Sequence, residues 1–192
     1  LVAATASDPV ALWNHPAWWI GRLRADHPDH WQAILRAGNA APPLTLRVNR
    51  LRTTPEALAQ RLAGAGLATR RCGEDGLVLE PPRPVQAIPG FEAGDWSVQD
   101  AAAQLAAPLL LSGLAPPADG RPLRVLDACA APGGKTAHLL EWLGAAGVPA
   151  EVTALDVDPA RCERIGETLA RLGLSAQVKA ADAARTADWW DG

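Results

Sequence analysis

The alternation of strand-like and helix-like segments in the carboxyl-terminal part of the chain constrains its fold more than any other feature. Apolar runs at residues 123–128, 152–156 and 176–179 have the length and composition of buried strands. Between them, residues 136–143 and 159–172 have the pattern of helices. This order predicts an α/β fold in which the strands form the first half of a Rossmann-like, parallel sheet.

Two further regions are predicted before this sheet. Residues 8–38 carry apolar residues at near-helical spacing, and their tryptophans are interpreted as core packing. A strand, a helix capped by Thr54 and two short strands follow as a small α+β module, and residues 100–111 read as an Ala-rich helix. The predicted domains are linker helices at 1–40, an accessory, RNA-binding-like α+β module at 41–98, and the α/β sheet region at 99–192.

Composition argues against several classes of protein. Three cysteines without a Cys-x-x-Cys pair and four dispersed histidines argue against a disulfide framework and against a metal site. No apolar run reaches the length of a membrane span and no signal peptide opens the chain, so we expect a cytoplasmic protein with no membrane partner. The chain begins at Leu1 and contains no Met, and we therefore expect it to be a piece of a longer protein.

The charge of the chain is distributed unevenly. Residues 22–71 contain nine Arg and three acidic residues, a balance of +6, whereas residues 99–192 contain eight basic and twelve acidic residues, a balance of −4. A basic front half and an acidic back half favour a polyanionic partner for the first and a cofactor for the second. Arginine-rich codon usage on solvated faces is an equally good explanation of an excess this small.

The loop after the first strand is the most informative segment. Residues 127–136 read Asp-Ala-Cys-Ala-Ala-Pro-Gly-Gly-Lys-Thr. Small residues let the backbone approach a ligand closely, and the N–H groups at the start of the following helix are free to bind it. The sequence therefore predicts a nucleotide-like site at the carboxyl end of the first strand.

Phosphate-binding and NAD-binding loops fit this segment poorly. Gly134, Lys135 and Thr136 have the ending of a P-loop, but Cys129 stands where that loop requires a glycine. No GxGxxG triplet of the NAD-binding type is present. Both interpretations fail on the positions of the glycines.

Three acidic residues at successive strand ends favour another cofactor. Asp156 can accept hydrogen bonds from ribose hydroxyls, Asp182 can meet an adenine edge, and Asp127 can orient the loop or a methionine amino group. A cofactor with a sulfonium cation and an ammonium group suits acidic surroundings, unlike a triphosphate. Each acid taken singly is explained as a solvated loop residue, but the three together favour S-adenosylmethionine.

Residues 127–136 also resemble the first motif of the RNA cytosine-5 methyltransferases of the NOL/NOP/Sun family. Residues 46–50, 88–91 and 97–101 resemble the segment before the catalytic domain in the Sun branch, which acts on bacterial 16S ribosomal RNA, and residues 15–19 resemble its linker helices. The resemblance implies a class I methyltransferase that uses S-adenosyl-L-methionine to methylate cytosine C5 in 16S rRNA. A monomer with an RNA partner and no metal is expected.

The resemblance also assigns the site residues. The implied cofactor contacts are Cys129, Ala130, Ala131, Pro132, Gly133, Gly134, Lys135, Asp156 and Asp182. Family members attack cytosine C6 with a cysteine thiolate and release the product with a second cysteine, in Pro-Cys and Thr-Cys motifs that would lie beyond Gly192. Cys129 is interpreted as a packing residue of the loop, and Cys72 and Cys162 as structural, so we expect no catalytic residue in this chain and no activity from it alone.

The sequence is also compatible with two other functions. A non-catalytic RNA- or ribosome-binding relative is one alternative, and a class I methyltransferase acting on a small molecule is another. In the RNA-binding interpretations, Arg47, Arg50 and Arg52 are candidates for phosphate contacts, with plain surface charge as the competing explanation.

Overall fold

The computed structural model describes residue 5 and residues 7–191. The chain divides into two compact units, Leu1–Pro42 and Pro43–Gly192. Among the described helices, none combines the length and the apolar character that crossing a membrane requires.

The first unit is helical, as its apolar spacing predicts. Its helices are α1 Pro9–Trp13, α2 Ala17–Asp26 and α3 Trp31–Asn39. Ile20, Leu23 and Leu35 form its buried core, against which two of its tryptophans pack. The prediction that the tryptophans are core residues is wrong for Trp18 and Trp19, which are 71% and 37% exposed.

The second unit begins with the α+β module. Its elements are β1 Leu44–Val48, α4 Pro55–Gly64, β2 Thr69–Cys72, β3 Gly76–Leu79 and β4 Trp96–Val98, with a 3-10 turn at Val85–Ala87. The strands form an antiparallel sheet in the order β2-β3-β1-β4. Thr54 caps α4 as predicted, since its hydroxyl accepts a hydrogen bond from Ala57 N at 3.2 Å. Strand β4 was not predicted, because three residues carry too little periodicity to identify a strand.

The remaining elements build a parallel α/β sheet. They are α5 Ala106–Leu111, β5 Leu123–Asp127, α6 Gly134–Ala145, β6 Ala150–Asp156, α7 Pro159–Leu172 and β7 Gln177–Ala180, with 3-10 turns at Ala103–Leu105 and Thr186–Asp188. The strand order is β5-β6-β7 and both pairings are parallel, which confirms the predicted Rossmann-like sheet. The predicted helix at 100–111 is shorter than expected, because Pro108 lacks the N–H that would bond to residue 104 in a longer α-helix.

Both faces of the module's sheet are covered at β1. Leu46 and Val48 of β1 pack with Leu58 and Leu62 of α4 on one face. On the other face Arg47 of β1 is bonded to α6 (below). At β1, the parallel-sheet region therefore occupies the second face of the module's sheet.

Arg47 is the central contact between the module and the parallel-sheet region. Its side chain is fully buried and donates from Nε and Nη2 to the two carboxylate oxygens of Glu141, at 3.1 and 2.8 Å. It also donates to Gln99 Oε1 at 2.8 Å. Burial raises the pKa of Glu141, and the charge of Arg47 opposes that shift. The prediction that Arg47 contacts RNA phosphates is wrong, because no solvent reaches its guanidinium.

The two other candidate arginines differ from Arg47. Arg50 donates to Asp75 Oδ1 at 2.7 Å and lies over the Trp142 ring, 3.9 Å from its centroid. Arg52 is exposed and donates to Leu172 O at 3.2 Å. Phosphate contact by Arg50 and Arg52 stays a prediction.

The buried pair yields a stability prediction. Replacing Arg47 by Met leaves the Glu141 carboxylate buried without its partner, which should lower the free energy of unfolding by about 3–5 kcal/mol. In the double variant Arg47→Met/Glu141→Leu no charge is left unpaired, so most of that loss should be recovered. Urea denaturation of the wild type and the two variants measures both effects. Equal destabilisation by the single and double variants would contradict this account of the pair.

Candidate functional site

The predicted cofactor loop connects β5 to α6. The strand ends at Asp127 and the helix begins at Gly134. Thr136, in the first turn of α6, donates its hydroxyl proton to Asp127 Oδ2 at 2.7 Å. This bond ties the start of the helix to the end of the strand, so the loop closes on a fixed frame.

Gly133 makes the close contact that the loop requires. Its φ of +98° is left-handed, and an added Cβ would lie 3.2 Å from Ile165 Cα and 3.3 Å from Thr168 Cβ. Thr168 also donates to Pro132 O at 2.6 Å. Helix α7 therefore supports the loop from behind, and only glycine meets both the backbone and the packing requirement at this position.

Asp156 joins the loop to the second parallel strand. It ends β6, is only 2% exposed, and accepts a hydrogen bond from Ala131 N at Oδ2, 3.2 Å away. Its Oδ1 accepts from Asp158 N at 3.3 Å and pairs with Arg161 at 3.3 Å. A carboxylate oxygen has more than one acceptor position, so these bonds leave capacity for a ligand hydroxyl.

Asp182 lies beyond the end of β7 and is exposed. Its Oδ1 accepts a hydrogen bond from Ala184 N at 2.9 Å, which fixes the turn that carries it. Because β5, β6 and β7 are parallel neighbours, the loop, Asp156 and Asp182 all follow the carboxyl ends of strands at one edge of the sheet. This edge is where ligands bind in open α/β sheets.

The remaining loop residues differ in exposure. Cys129, Pro132 and Lys135 are exposed, and Ala130 is buried and donates from its N–H to Leu155 O at 2.9 Å. The loop therefore combines an exposed surface with backbone fixed by the sheet.

Among the residues that the structure describes, no group of three or more His, Cys, Asp and Glu side chains is arranged to hold a metal ion.

Two large cavities lie away from the loop. One of about 560 Å³ lies in the helical unit beside Trp13 and Arg36. Another of about 530 Å³ is lined by Trp189 and Trp190 among others and lies on the face of the parallel sheet opposite α6 and α7. A cavity of about 140 Å³ lies beside the loop, next to Asp127. We identify the site by its strand-end geometry, because neither of the two larger cavities contains a predicted cofactor residue.

Sequence reasoning did not find three supporting residues of the site. Thr136, Arg161 and Thr168 all bond to predicted site residues or to Asp127. Thr136 follows the glycines at the start of a helix, where a hydroxyl often bonds to a nearby group, so the sequence weakly indicated its role. Arg161 and Thr168 lie on the polar side of an ordinary amphipathic helix, and nothing in the local sequence distinguishes them from solvated residues.

Comparison with known proteins assigns the family. Residues 15–86 match the ferredoxin-like domain of the RsmF/B-like methyltransferases, and residues 113–192 match the 16S rRNA methyltransferase RsmB/F domain. The first match covers most of the module, and the second covers the parallel sheet with its β5–α6 loop. The chain belongs to the RsmB/F family of methyltransferases.

Individual relatives agree with this assignment. The chain is 49% identical to ribosomal RNA small subunit methyltransferase B of Pseudomonas syringae pv. tomato, over 96% of this chain and 40% of the relative. It is 47% identical to the Pseudomonas putida protein of the same name, over 100% of this chain and 42% of the relative. The chain thus spans less than half the length of these curated relatives.

Solved structures share the fold. A methyltransferase homologue from Pyrococcus horikoshii superposes with a TM-score of 0.72 at 25% identity, covering 94% of this chain and 57% of that one. NSun6 from Pyrococcus horikoshii, solved with SFG, superposes with a TM-score of 0.69 at 15% identity, covering 90% of this chain and 67% of that one.

Gly133 and its neighbour Gly134 provide a matched test of the loop geometry. Gly133→Ala should lower the free energy of unfolding by about 1–3 kcal/mol, because alanine is strained at positive φ and its Cβ meets α7. Gly134→Ala should be neutral or stabilising by up to about 1 kcal/mol, since an added Cβ there meets nothing within 4 Å and alanine favours helix. Thermal denaturation of both variants checks the difference, and a Gly133→Ala protein as stable as the wild type would refute the loop conformation.

Proposed function

We propose that this chain binds S-adenosyl-L-methionine as part of an enzyme that methylates cytosine C5 in 16S ribosomal RNA. The observation that carries the proposal is the β5–α6 loop. Its small residues, with Gly133 at a left-handed φ, lead into the start of α6. Two carboxylates, Asp156 and Asp182, lie at the same edge of the sheet. The names of the curated relatives support ribosomal RNA of the small subunit as the substrate. We further propose that the protein acts as a monomer in the cytoplasm.

The site chemistry suits this cofactor. We assign Cys129–Lys135 to its methionine and adenosine contacts, Asp156 to the ribose hydroxyls and Asp182 to the adenine edge. The N–H groups of the first turn of α6 favour a negatively charged group such as the methionine carboxylate. The nearby carboxylates favour the ammonium and the sulfonium. SFG, present in the NSun6 structure, is an analogue of S-adenosylmethionine, which agrees with this assignment.

The proposed reaction needs a thiolate that this part of the chain does not supply. Methylation at C5 begins with addition of a cysteine thiolate to C6, and the nucleophile must face the methyl donor across the target base. Cys72 lies on β2, and Cys162 lies on α7 with its thiol 3.7 Å from Asp156 O. Cys129 belongs to the cofactor loop itself. We therefore assign the nucleophile and the second cysteine to sequence beyond Gly192.

The alternative of a non-catalytic RNA-binding relative receives less support. Its sequence argument is the excess of arginine in residues 22–71, yet Arg47, one of the candidates for phosphate contact, is buried. The exposed arginine Arg70 is within 3.5 Å of Glu80, which reduces the local positive field. The cofactor loop would also have no use in such a protein.

Cofactor binding is predicted to depend on Asp182. Calorimetric titration with S-adenosylmethionine should give saturable binding by the wild type, and Asp182→Asn should weaken the affinity about tenfold through loss of a charged acceptor. Asp188→Asn, which changes an exposed aspartate in the following turn, is the control and should leave the affinity unchanged. A wild type that does not bind, or equal effects of the two variants, would count against the proposed site.

The role of Cys129 can be tested by methyl transfer. Incubation of the 192-residue chain with 16S rRNA and methyl-labelled S-adenosylmethionine should leave the RNA unlabelled. The Kd of Cys129→Ala for the cofactor should lie within about twofold of the wild-type value, because the loop needs only a small side chain at this position. Labelling of the RNA by the wild type and its loss in Cys129→Ala would instead identify Cys129 as the nucleophile.

A further inference from the structure

The accessory module reaches the cofactor loop through one buried side chain. Besides its bonds to Glu141 and Gln99, Arg47 donates from Nη1 to the carbonyl oxygen of Gly134 at 2.6 Å. Gly134 is the first residue of α6 and belongs to the loop assigned to the cofactor. Arg47 lies on β1 of the module, 87 positions earlier in the sequence, so this bond joins two different layers of the fold.

The bond acts on a group that faces the ligand side of the loop. The Gly134 carbonyl and the Lys135 N–H belong to one planar peptide unit and point in opposite directions. The Lys135 N–H is in the first helical turn, whose N–H groups have no partner within the helix. Fixing the carbonyl on the module side therefore fixes the direction in which the Lys135 N–H is presented at the helix start.

Charge and burial make this restraint a strong one. The bond is charge-assisted and is fully buried on the arginine side, which makes it stronger than a neutral hydrogen bond in water. The guanidinium is itself held in place by Glu141, which lies about two helical turns further along α6 than Gly134. The arginine thus bonds to both the start and the middle of α6 and has little freedom to move.

We infer that Arg47 is a positioning residue for the methyl-donor site, through which the ferredoxin-like module sets the orientation of the Gly134–Lys135 peptide that binds S-adenosylmethionine. The inference rests on the proposed function, since it assigns the module a part in cofactor binding. The module is then a component of the donor site as well as a neighbour of it. Arg47 does not touch the cofactor in this account and acts only through the loop backbone.

The test separates this role from general stabilisation. Calorimetry with S-adenosylmethionine is carried out on the wild type, on Arg47→Met/Glu141→Leu and on Arg171→Met, each at a temperature where it is folded. The double variant leaves no buried charge unpaired but lacks the bond to Gly134, and its Kd should rise about 3- to 30-fold. Arg171→Met is the matched control, because Arg171 also bonds across the module contact, to Phe91 O at 2.7 Å, but does not reach the loop.

Arg171→Met should keep its Kd within about twofold of the wild type even where it lowers the melting temperature. Arg47→Lys keeps a positive charge beside Glu141 and, by still reaching the Gly134 carbonyl, should bind the cofactor more tightly than the double variant. Double-variant binding equal to that of the wild type, or an equal loss in Arg171→Met, would overturn the inference while leaving the proposed function intact. A wild type that fails to bind the cofactor would overturn the proposed function itself, and the inference with it.

Discussion

The buried ion pair between Arg47 and Glu141 is the interaction on which the arrangement of the second unit depends. Both side chains are almost completely removed from water, with exposures of 0% and 1%. Burying two charges is costly unless they are paired and fully hydrogen-bonded, and here Gln99 and the Gly134 carbonyl complete the bonding of the guanidinium. This requirement fixes the module relative to α6 far more narrowly than apolar contacts alone would, because the donors of arginine have a rigid planar geometry.

A second set of polar residues surrounds this pair. Trp142 donates from Nε1 to His138 Nε2 at 3.0 Å and lies 3.2 Å from Asp75 Oδ2. Burial lowers the pKa of His138, and the hydrogen bond to Asp75 opposes that shift. The face of α6 turned towards the module is therefore polar and meets two arginines of the module, Arg47 at Glu141 and Arg50 at Trp142. The opposite face of the same helix packs into the apolar core through Leu139 and Leu143.

Helix α6 consequently makes three kinds of contact. Its first turn follows the β5–α6 loop, one side packs against the parallel sheet, and the other side bonds to the module. A change in the module is transmitted to the loop because the helix is a rigid element that both of them contact. Helix α7 supports the loop separately, because Thr168 bonds to Pro132 O, whereas Arg171 of the same helix bonds to the module and does not reach the loop.

The sequence predicted what is encoded locally and missed what is encoded between distant segments. The strand-helix alternation, the Thr54 cap and the glycine-rich loop all follow from neighbouring residues, and the structure confirms the first two and gives the loop a left-handed Gly133. The burial of Arg47 could not be predicted, because its partner Glu141 is 94 positions away and an arginine in an alternating strand reads as solvated. Strand β4 depends in the same way on pairing with β1, which no local pattern reports.

Amide hydrogen exchange of the wild-type chain tests most directly whether the loop between β5 and α6 binds S-adenosylmethionine. Adding the cofactor should slow exchange at residues 129–136 and in the turns after Asp156 and Asp182, with little change in the helices of residues 9–39. Uniform protection of the whole chain, or protection confined to the opposite sheet face around Trp189 and Trp190, would contradict it.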